Sequence, residues 1–240
     1  MNLVWNRSCV EANNYKFAKK HTMYKSLLLV VSILTFSLAS FAQNENPKDP
    51  KAKVILDKVS QTNKTYSTIY IDFTFRLENK ANAINETQNG QVWIKGEKYK
   101  LLLSGVERYS DGKTVWTYLS DDDECQISDV DGDDDEGSIS PSSLLTIYEK
   151  GFNYVYGSEV SINGKKTDMI KLFPEGGGKP YHTIKLYVNQ ATSQIARIEV
   201  YGKDGNTFTY DLKSIKSNES MNDAMFVFDE SKAGDIVDLR

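Results

Sequence analysis

The densest set of potential ligands in this 240-residue chain is the run Asp129-Val-Asp-Gly-Asp-Asp-Asp-Glu-Gly137. Carboxylates at Asp129, Asp131 and Asp133 alternate as in the opening of a calcium loop. The sixth position of such a loop calls for glycine and holds Asp134, and the twelfth calls for glutamate and holds Ser140. A solvated acidic loop is therefore expected, with no metal and no cofactor. Nucleophilic chemistry has little to work with. Beyond residue 42 the chain has one cysteine, Cys125, and one histidine, His182. A catalytic thiol needs a nearby base, so a buried, inert Cys125 and a structural His182 are the expected states. Paired carboxylates such as Asp72 and Asp211 could serve a hydrolase, but that depends on spatial geometry. Neither a nucleophile elbow nor a phosphate loop is present, and no catalysed reaction is expected.

Binding chemistry is better represented. In Tyr109-Ser-Asp-Gly-Lys-Thr-Val-Trp-Thr-Tyr118, an Asp-Gly turn between alternating residues predicts a hairpin. Its outgoing strand carries Trp116 and Tyr118 on one face, which suits a hydrophobic wall and so a lipid ligand. An alternative is that Phe73, Phe75, Trp116, Tyr118, Leu144 and Tyr148 are ordinary core.

The N-terminus points to export. Lys25 precedes an apolar run from Leu27 to Ala39, and Ser40-Phe41-Ala42 has the small-x-small form of a signal-peptidase site. Residues 1–42 are thus expected to be a leader and signal peptide that is removed, with Met23 a natural start. The run is shorter than the roughly 20 residues of a spanning helix. Residues 43–240 then form one domain, expected to be periplasmic, soluble and monomeric. That segment holds 24 Lys and Arg against 32 Asp and Glu, a net charge of −8, and ten of the acids lie between Asp121 and Glu136. The remainder is near neutral, without the basic surplus of a nucleic-acid binder.

One helix comes first. Asp49 caps it, Pro50 takes its first position, and Ala52, Ile55, Leu56 and Val59 form an apolar stripe. Ile69, Ile71, Phe73, Phe75 and Leu77 then alternate with polar residues along a strand. Strands follow at Gln91 to Lys95 and at Tyr99 to Ser104, the latter apolar on both faces. Ser140-Pro141 should open a second helix bearing Leu144, Leu145 and Tyr148, ended by Gly151. From Tyr154 onward, turns at Asn163-Gly164, Gln190 to Ser193 and Asp204-Gly205-Asn206 divide a meander, with strands at Thr183 to Val188, Ile195 to Tyr201, Thr207 to Ile215 and Phe226 to Phe228. About ten strands and two helices give a mainly β (α+β) class and a sheet curling almost closed.

Residues 43–240 resemble the periplasmic outer-membrane lipoprotein carrier family (LolA-like). The likeness lies in Leu56-Asp-Lys-Val59, Gly90-Gln-Val-Trp-Ile-Lys95, Ser110-Asp-Gly-Lys-Thr-Val-Trp-Thr-Tyr118, Ser140-Pro-Ser-Ser-Leu-Leu145, Ala224-Met-Phe-Val-Phe228 and Gly234-Asp-Ile-Val-Asp238. The resemblance implies a half-open antiparallel β-barrel with a helical lid. Its apolar cavity would hold the acyl chains of lipoproteins taken from an inner-membrane lipoprotein exporter and passed to an outer-membrane acceptor. One chain of about 14 carbons would contribute roughly 11 kcal/mol at about 0.8 kcal/mol per methylene, much of which lid opening must offset. On strand parity, Ile69, Ile71, Phe73, Tyr99, Leu101, Leu103, Trp116 and Tyr118 line the wall, and Leu144, Leu145 and Tyr148 the lid. Some family members carry an arginine directly after the Trp-x-Lys segment, where it latches the lid; here that place is Gly96. Arg76 or Arg108 could substitute, although each reads as a surface residue. A lipid- or lipoprotein-sensing regulator of the same fold is the alternative function.

Overall fold

The computed structural model describes residues 48–130, 145–176 and 178–240, which lie in the unit Asn46–Arg240. The first element is helix α1 (Pro50–Lys64). Asp49 starts it as the sequence predicts, its carboxylate accepting from Lys51 N at 2.7 Å and Ala52 N at 3.4 Å. These bonds satisfy amide donors that have no partner within the helix. The other carboxylate oxygen accepts from Tyr156 N at 3.0 Å, which ties the helix start to the sheet. Together these bonds, led by that from Tyr156, hold the Asp49 carboxyl below its usual range.

Twelve strands follow among the described residues: β1 (Ile69–Asn79), β2 (Ile84–Lys95), β3 (Lys98–Leu103), β4 (Val106–Ser110), β5 (Thr114–Leu119), β6 (Glu124–Asp129), β7 (Phe152–Ile162), β8 (Lys165–Pro174), β9 (Tyr181–Asn189), β10 (Ile195–Gly202), β11 (Thr207–Ser217) and β12 (Asp235–Asp238). They form one sheet in the order β12-β6-β5-β4-β3-β2-β1-β11-β10-β9-β8-β7. The pairs are antiparallel except β12 with β6, which is parallel. The outermost strands, β12 and β7, do not pair with each other, so the barrel is half-open.

Short connections enforce this order. The Asp-Gly hairpin forms as expected between β4 and β5, with Asp111 Oδ1 accepting from Lys113 N and Thr114 N, both at 2.9 Å. Between β7 and β8, Asn163 and Gly164 both have positive φ (50° and 73°), the requirement of a tight type I′ turn.

Three expectations change. The N-terminal half of β2, Ile84-Asn-Glu-Thr-Gln-Asn89, is too polar to read as a strand, yet it pairs with β1 along its whole length. The expected strand at Phe226–Phe228 is instead a 3-10 turn (Asp223–Phe226) and an extended segment, which bury Phe226 and Phe228 by packing rather than by pairing. Of the expected second helix, the described residues from Leu145 onward form a 3-10 turn at Ile147–Glu149. Its start at Ser140-Pro141 lies outside the described residues, as do the leader 1–42, Leu144 and the acidic positions 131–136.

Candidate functional site

Cross-strand partners share a face of the sheet, so one known residue fixes the orientation of the rest. Ile71 pairs with Val92, Val92 with Leu101, and Leu101 with Arg108; in the next row Ile69, Ile94, Tyr99 and Ser110 are linked in the same way. On the other side, Phe75 pairs with Tyr210, Tyr210 with Ile198, Ile198 with Leu186, and Leu186 with Ile170. A bulge between Asp72 and Phe73 inserts Lys213 opposite β1, which keeps Ile215 and Leu212 on the same face despite their odd spacing. This face is concave. Its residues from β1 to β3 and from β7 to β10 share one core with Ala52, Leu56 and Val59 of α1.

The helix fills only part of this face. Ile69, Ile71, Phe73 and Tyr99 are buried. Leu101, Leu103, Phe75, Phe208, Tyr210 and Leu212 are half-buried and pack at the margin of the same core. Phe75 is central there, with ring centroids 5.3 Å from Tyr210 and 6.3 Å from Phe208. Phe73 reaches Tyr210 at 6.1 Å, across a floor left open by Gly90. Phe75, Phe208, Tyr210 and Leu212 are wall residues that the sequence reading did not assign to the site. Their alternation was legible, but their adjacency depends on the pairing of β1 with β11 across more than 130 residues of chain.

The lid residues within the described segment join the same core. Leu145 and Tyr148 are buried against it. Asn63 Nδ2, in the last turn of α1, donates to Leu145 O at 3.0 Å, and Lys64 approaches Glu149 at 4.0 Å. The segment from Leu145 to Glu149 is thus fastened to the C-terminal end of the helix. Burial pushes the Tyr148 phenol well above its usual range.

Trp116 and Tyr118 are not on the wall. Tyr99 faces the concave side and pairs with Ser110, which pairs with Val115, so Val115, Thr117 and Leu119 face inward and Trp116 and Tyr118 face out. There they form a second core with Tyr109, Cys125, Ile127 and Phe228. Phe228 packs between Tyr118 and Tyr109, with centroids at 5.1 and 5.5 Å. Trp116 Nε1 donates to Glu230 Oε1 at 3.1 Å, and Tyr118 OH to Asp123 Oδ1 at 3.0 Å. Two apolar residues in one strand identify an apolar face but not which side of the sheet it lies on, and here the C-terminal segment covers the outer side.

Arg108 also departs from its expected surface position. It stands on the inward row between Leu101 and Thr117, with a buried Nε. Arg76, one residue from inward-facing Phe75, points outward and contacts Glu78 at 3.4 Å. Gly96 occupies the β2–β3 turn at φ +59°. Beside it, Lys95 and Lys98 both donate to the Asp223 carboxylate, at 2.7 and 2.8 Å.

The other residues with chemical potential are engaged elsewhere. Cys125 is fully buried, and that burial pushes its thiol up to about 11. His182 is exposed on β9, its Nδ1 2.9 Å from Thr183 Oγ1. Asp72 accepts from Gln91 and Ser214, and Asp211 from Arg197. Among the described residues, no group of three or more His, Cys, Asp or Glu side chains is placed to hold a metal ion.

Residues 64–229 match the family described as outer membrane lipoprotein carrier protein LolA. No curated protein matches the sequence. Similar solved structures include an uncharacterized conserved protein from Thermus thermophilus (14% identity, 78% of this chain and 99% of that one, TM-score 0.49). The lipoprotein LppX of Mycobacterium tuberculosis is 15% identical over 73% of this chain and 99% of its own, with a TM-score of 0.45. A LolA superfamily protein from Nitrosomonas europaea is 14% identical over 74% and 97%, with a TM-score of 0.41.

Proposed function

The chain belongs to the outer membrane lipoprotein carrier protein LolA family, and from that premise we propose that it is a periplasmic carrier that shelters lipoprotein acyl chains against the concave face of its sheet. The observation that supports this most directly is the half-buried apolar margin formed by Leu101, Leu103, Phe75, Phe208, Tyr210 and Leu212. Each methylene transferred from water to such a surface contributes about 0.8 kcal/mol. The protein acts by binding and release rather than by catalysis. Lipoproteins arrive from an inner-membrane exporter and leave to an outer-membrane acceptor.

The geometry also suggests how the affinity is moderated. The Leu145–Glu149 segment covers part of the core, burying Leu145 and Tyr148, and is also tied to α1 by polar contacts such as Asn63 to Leu145. The polar ties are individually weak, so re-exposing Leu145 and Tyr148 is the larger cost of shifting the segment and offsets part of the acyl-chain affinity. Arg108, on the inward row beside Leu101, is the arginine we propose as the latch in place of Gly96.

Binding of a dipalmitoylated peptide to the full chain, followed by displacement of a fluorescent fatty acid, tests this function. Leu101→Glu and Phe208→Glu should abolish uptake while leaving the far-ultraviolet circular dichroism unchanged. No uptake by the folded wild-type protein would refute the proposal. Uptake without transfer to acceptor vesicles would instead indicate a sensor of acylated ligands.

A further inference from the structure

The outward face of the sheet carries an ordered array that acyl binding does not use. Lys216, Tyr70, Trp93, Lys100, Tyr109 and Trp116 follow one another in register across β11, β1, β2, β3, β4 and β5. Tyr70 and Trp93 have ring centroids 5.1 Å apart, and Lys100 Nζ lies 5.7 Å from the Trp93 ring and 5.0 Å from that of Tyr109. The adjacent row is polar, with Asp72, Gln91, Leu102 and Glu107 in register. A pocket of about 420 Å³ opens here, lined by that row together with Asn89, Lys213, the serines Ser104, Ser120 and Ser214, and the wall residues Phe73, Gly90 and Leu103.

The lining selects its ligand. A chain of hydrocarbon would desolvate two carboxylates and two carboxamides without compensation. A phosphate would meet Asp72 and Glu107 against one lysine, Lys213, whose Nζ already donates to Asn89 Oδ1 at 2.6 Å. Planar acceptor and donor groups suit a ring bearing several hydroxyls, because Asp, Glu, Asn and Gln each present two polar atoms side by side. The strands space these groups about 5 Å apart, comparable to the width of one pyranose ring. Leu102 supplies an apolar floor for the C–H face of that ring, and Tyr70 and Trp93 extend the platform beyond the pocket. Asp72 is preorganised, accepting from Gln91 Nε2 and Ser214 Oγ, both at 3.2 Å. The Gln91 bond is the main cause holding its carboxyl below the usual range. Glu107 uses one oxygen for Tyr109 OH at 2.6 Å, and its second oxygen can receive a cation.

We propose that this outward pocket is a saccharide site that takes an amino sugar, with its hydroxyls on Asp72, Asn89 and Gln91, its ring on Leu102 and its ammonium against Glu107. The proposed contacts come from side chains of the outward row and do not depend on acyl binding, while Phe73, Gly90 and Leu103 of the concave wall border the same pocket. Isothermal titration of the full chain with a glucosamine tetrasaccharide at neutral pH tests it. Saturable binding is expected, weakened about tenfold in Glu107→Gln by loss of one charge-assisted contact and abolished in Leu102→Trp, which fills the pocket. Both variants should unfold at the wild-type midpoint and still take up the dipalmitoylated peptide. Absence of saturable binding to the wild type, or equal binding by all three proteins, would overturn the assignment whatever the outcome for acyl binding.

Discussion

Gly90 is where the concave wall is most sensitive to a single atom. It lies on β2 directly opposite Phe73. A Cβ at this position would sit 2.3, 2.7 and 2.9 Å from three atoms of the Phe73 ring. Ordinary carbon contacts begin near 3.5 Å, so the Gly90→Ala variant requires the ring to move by about 1 Å. Phe73 is 6% exposed and its ring meets Tyr210, so there is little room for that movement. Overpacking of this kind costs about 1–3 kcal/mol. Against it, replacing a strand glycine with alanine gains about 0.5–1 kcal/mol, because glycine loses more conformational freedom on folding. The clash dominates, and Gly90→Ala should destabilise the protein by about 1–2 kcal/mol. Removing the ring removes the clash. In a Phe73→Ala background, itself about 3–5 kcal/mol less stable, the same Gly90→Ala change should be neutral or stabilising. Urea unfolding of the four proteins, read by circular dichroism, closes the cycle. If Gly90→Ala proved neutral or stabilising in the wild-type background, or equally destabilising in both, the placement of Phe73 over Gly90 would be wrong.

Two further outcomes follow from the same structure. Lys95 and Lys98 hold the Asp223 carboxyl at about 2, below its usual 3.8. The stability this contributes is therefore present above pH 3.8 and is lost as pH falls towards 2, and carboxyl-detected NMR should show Asp223 returning to the ordinary range in a Lys95→Ala/Lys98→Ala variant. Cys125 should resist Ellman's reagent in the native state, because it is fully buried beneath the core that includes Phe228. The Phe228→Ala variant, expected to cost about 3 kcal/mol, should open that core and make the thiol reactive well below the global unfolding midpoint; an unreactive thiol there would show that the C-terminal segment is not what protects it.

The sequence was most informative where local chemistry decides structure. Asp49-Pro50 sets the start of α1, and the i, i+3, i+4, i+7 stripe gives its buried face of Ala52, Leu56 and Val59. Asp111-Gly112 and Asn163-Gly164 set two hairpins because few residues tolerate the backbone such turns require. The alternation of Ile69, Ile71 and Phe73 identified an apolar face from one strand alone. What a strand cannot state is which side of the sheet that face is on. Alternation has a period of two, so the absolute direction is inherited from the neighbouring strands through register, and one bulge reverses it. The pairing of Tyr99 with Ser110 and of Ser110 with Val115 sends Trp116 and Tyr118 outward, although the hairpin that carries them was legible. The bulge at Lys213 returns Leu212 to the wall. The same register places Arg108 inward and brings Phe208 and Tyr210 beside Phe75. Tertiary structure decided these positions because direction is passed from strand to strand through register: Arg108, Trp116 and Tyr118 inherit it through adjacent hairpins from the strands that α1 covers, and Phe208, Tyr210 and Leu212 through the pairing of β1 with β11 across more than 130 residues.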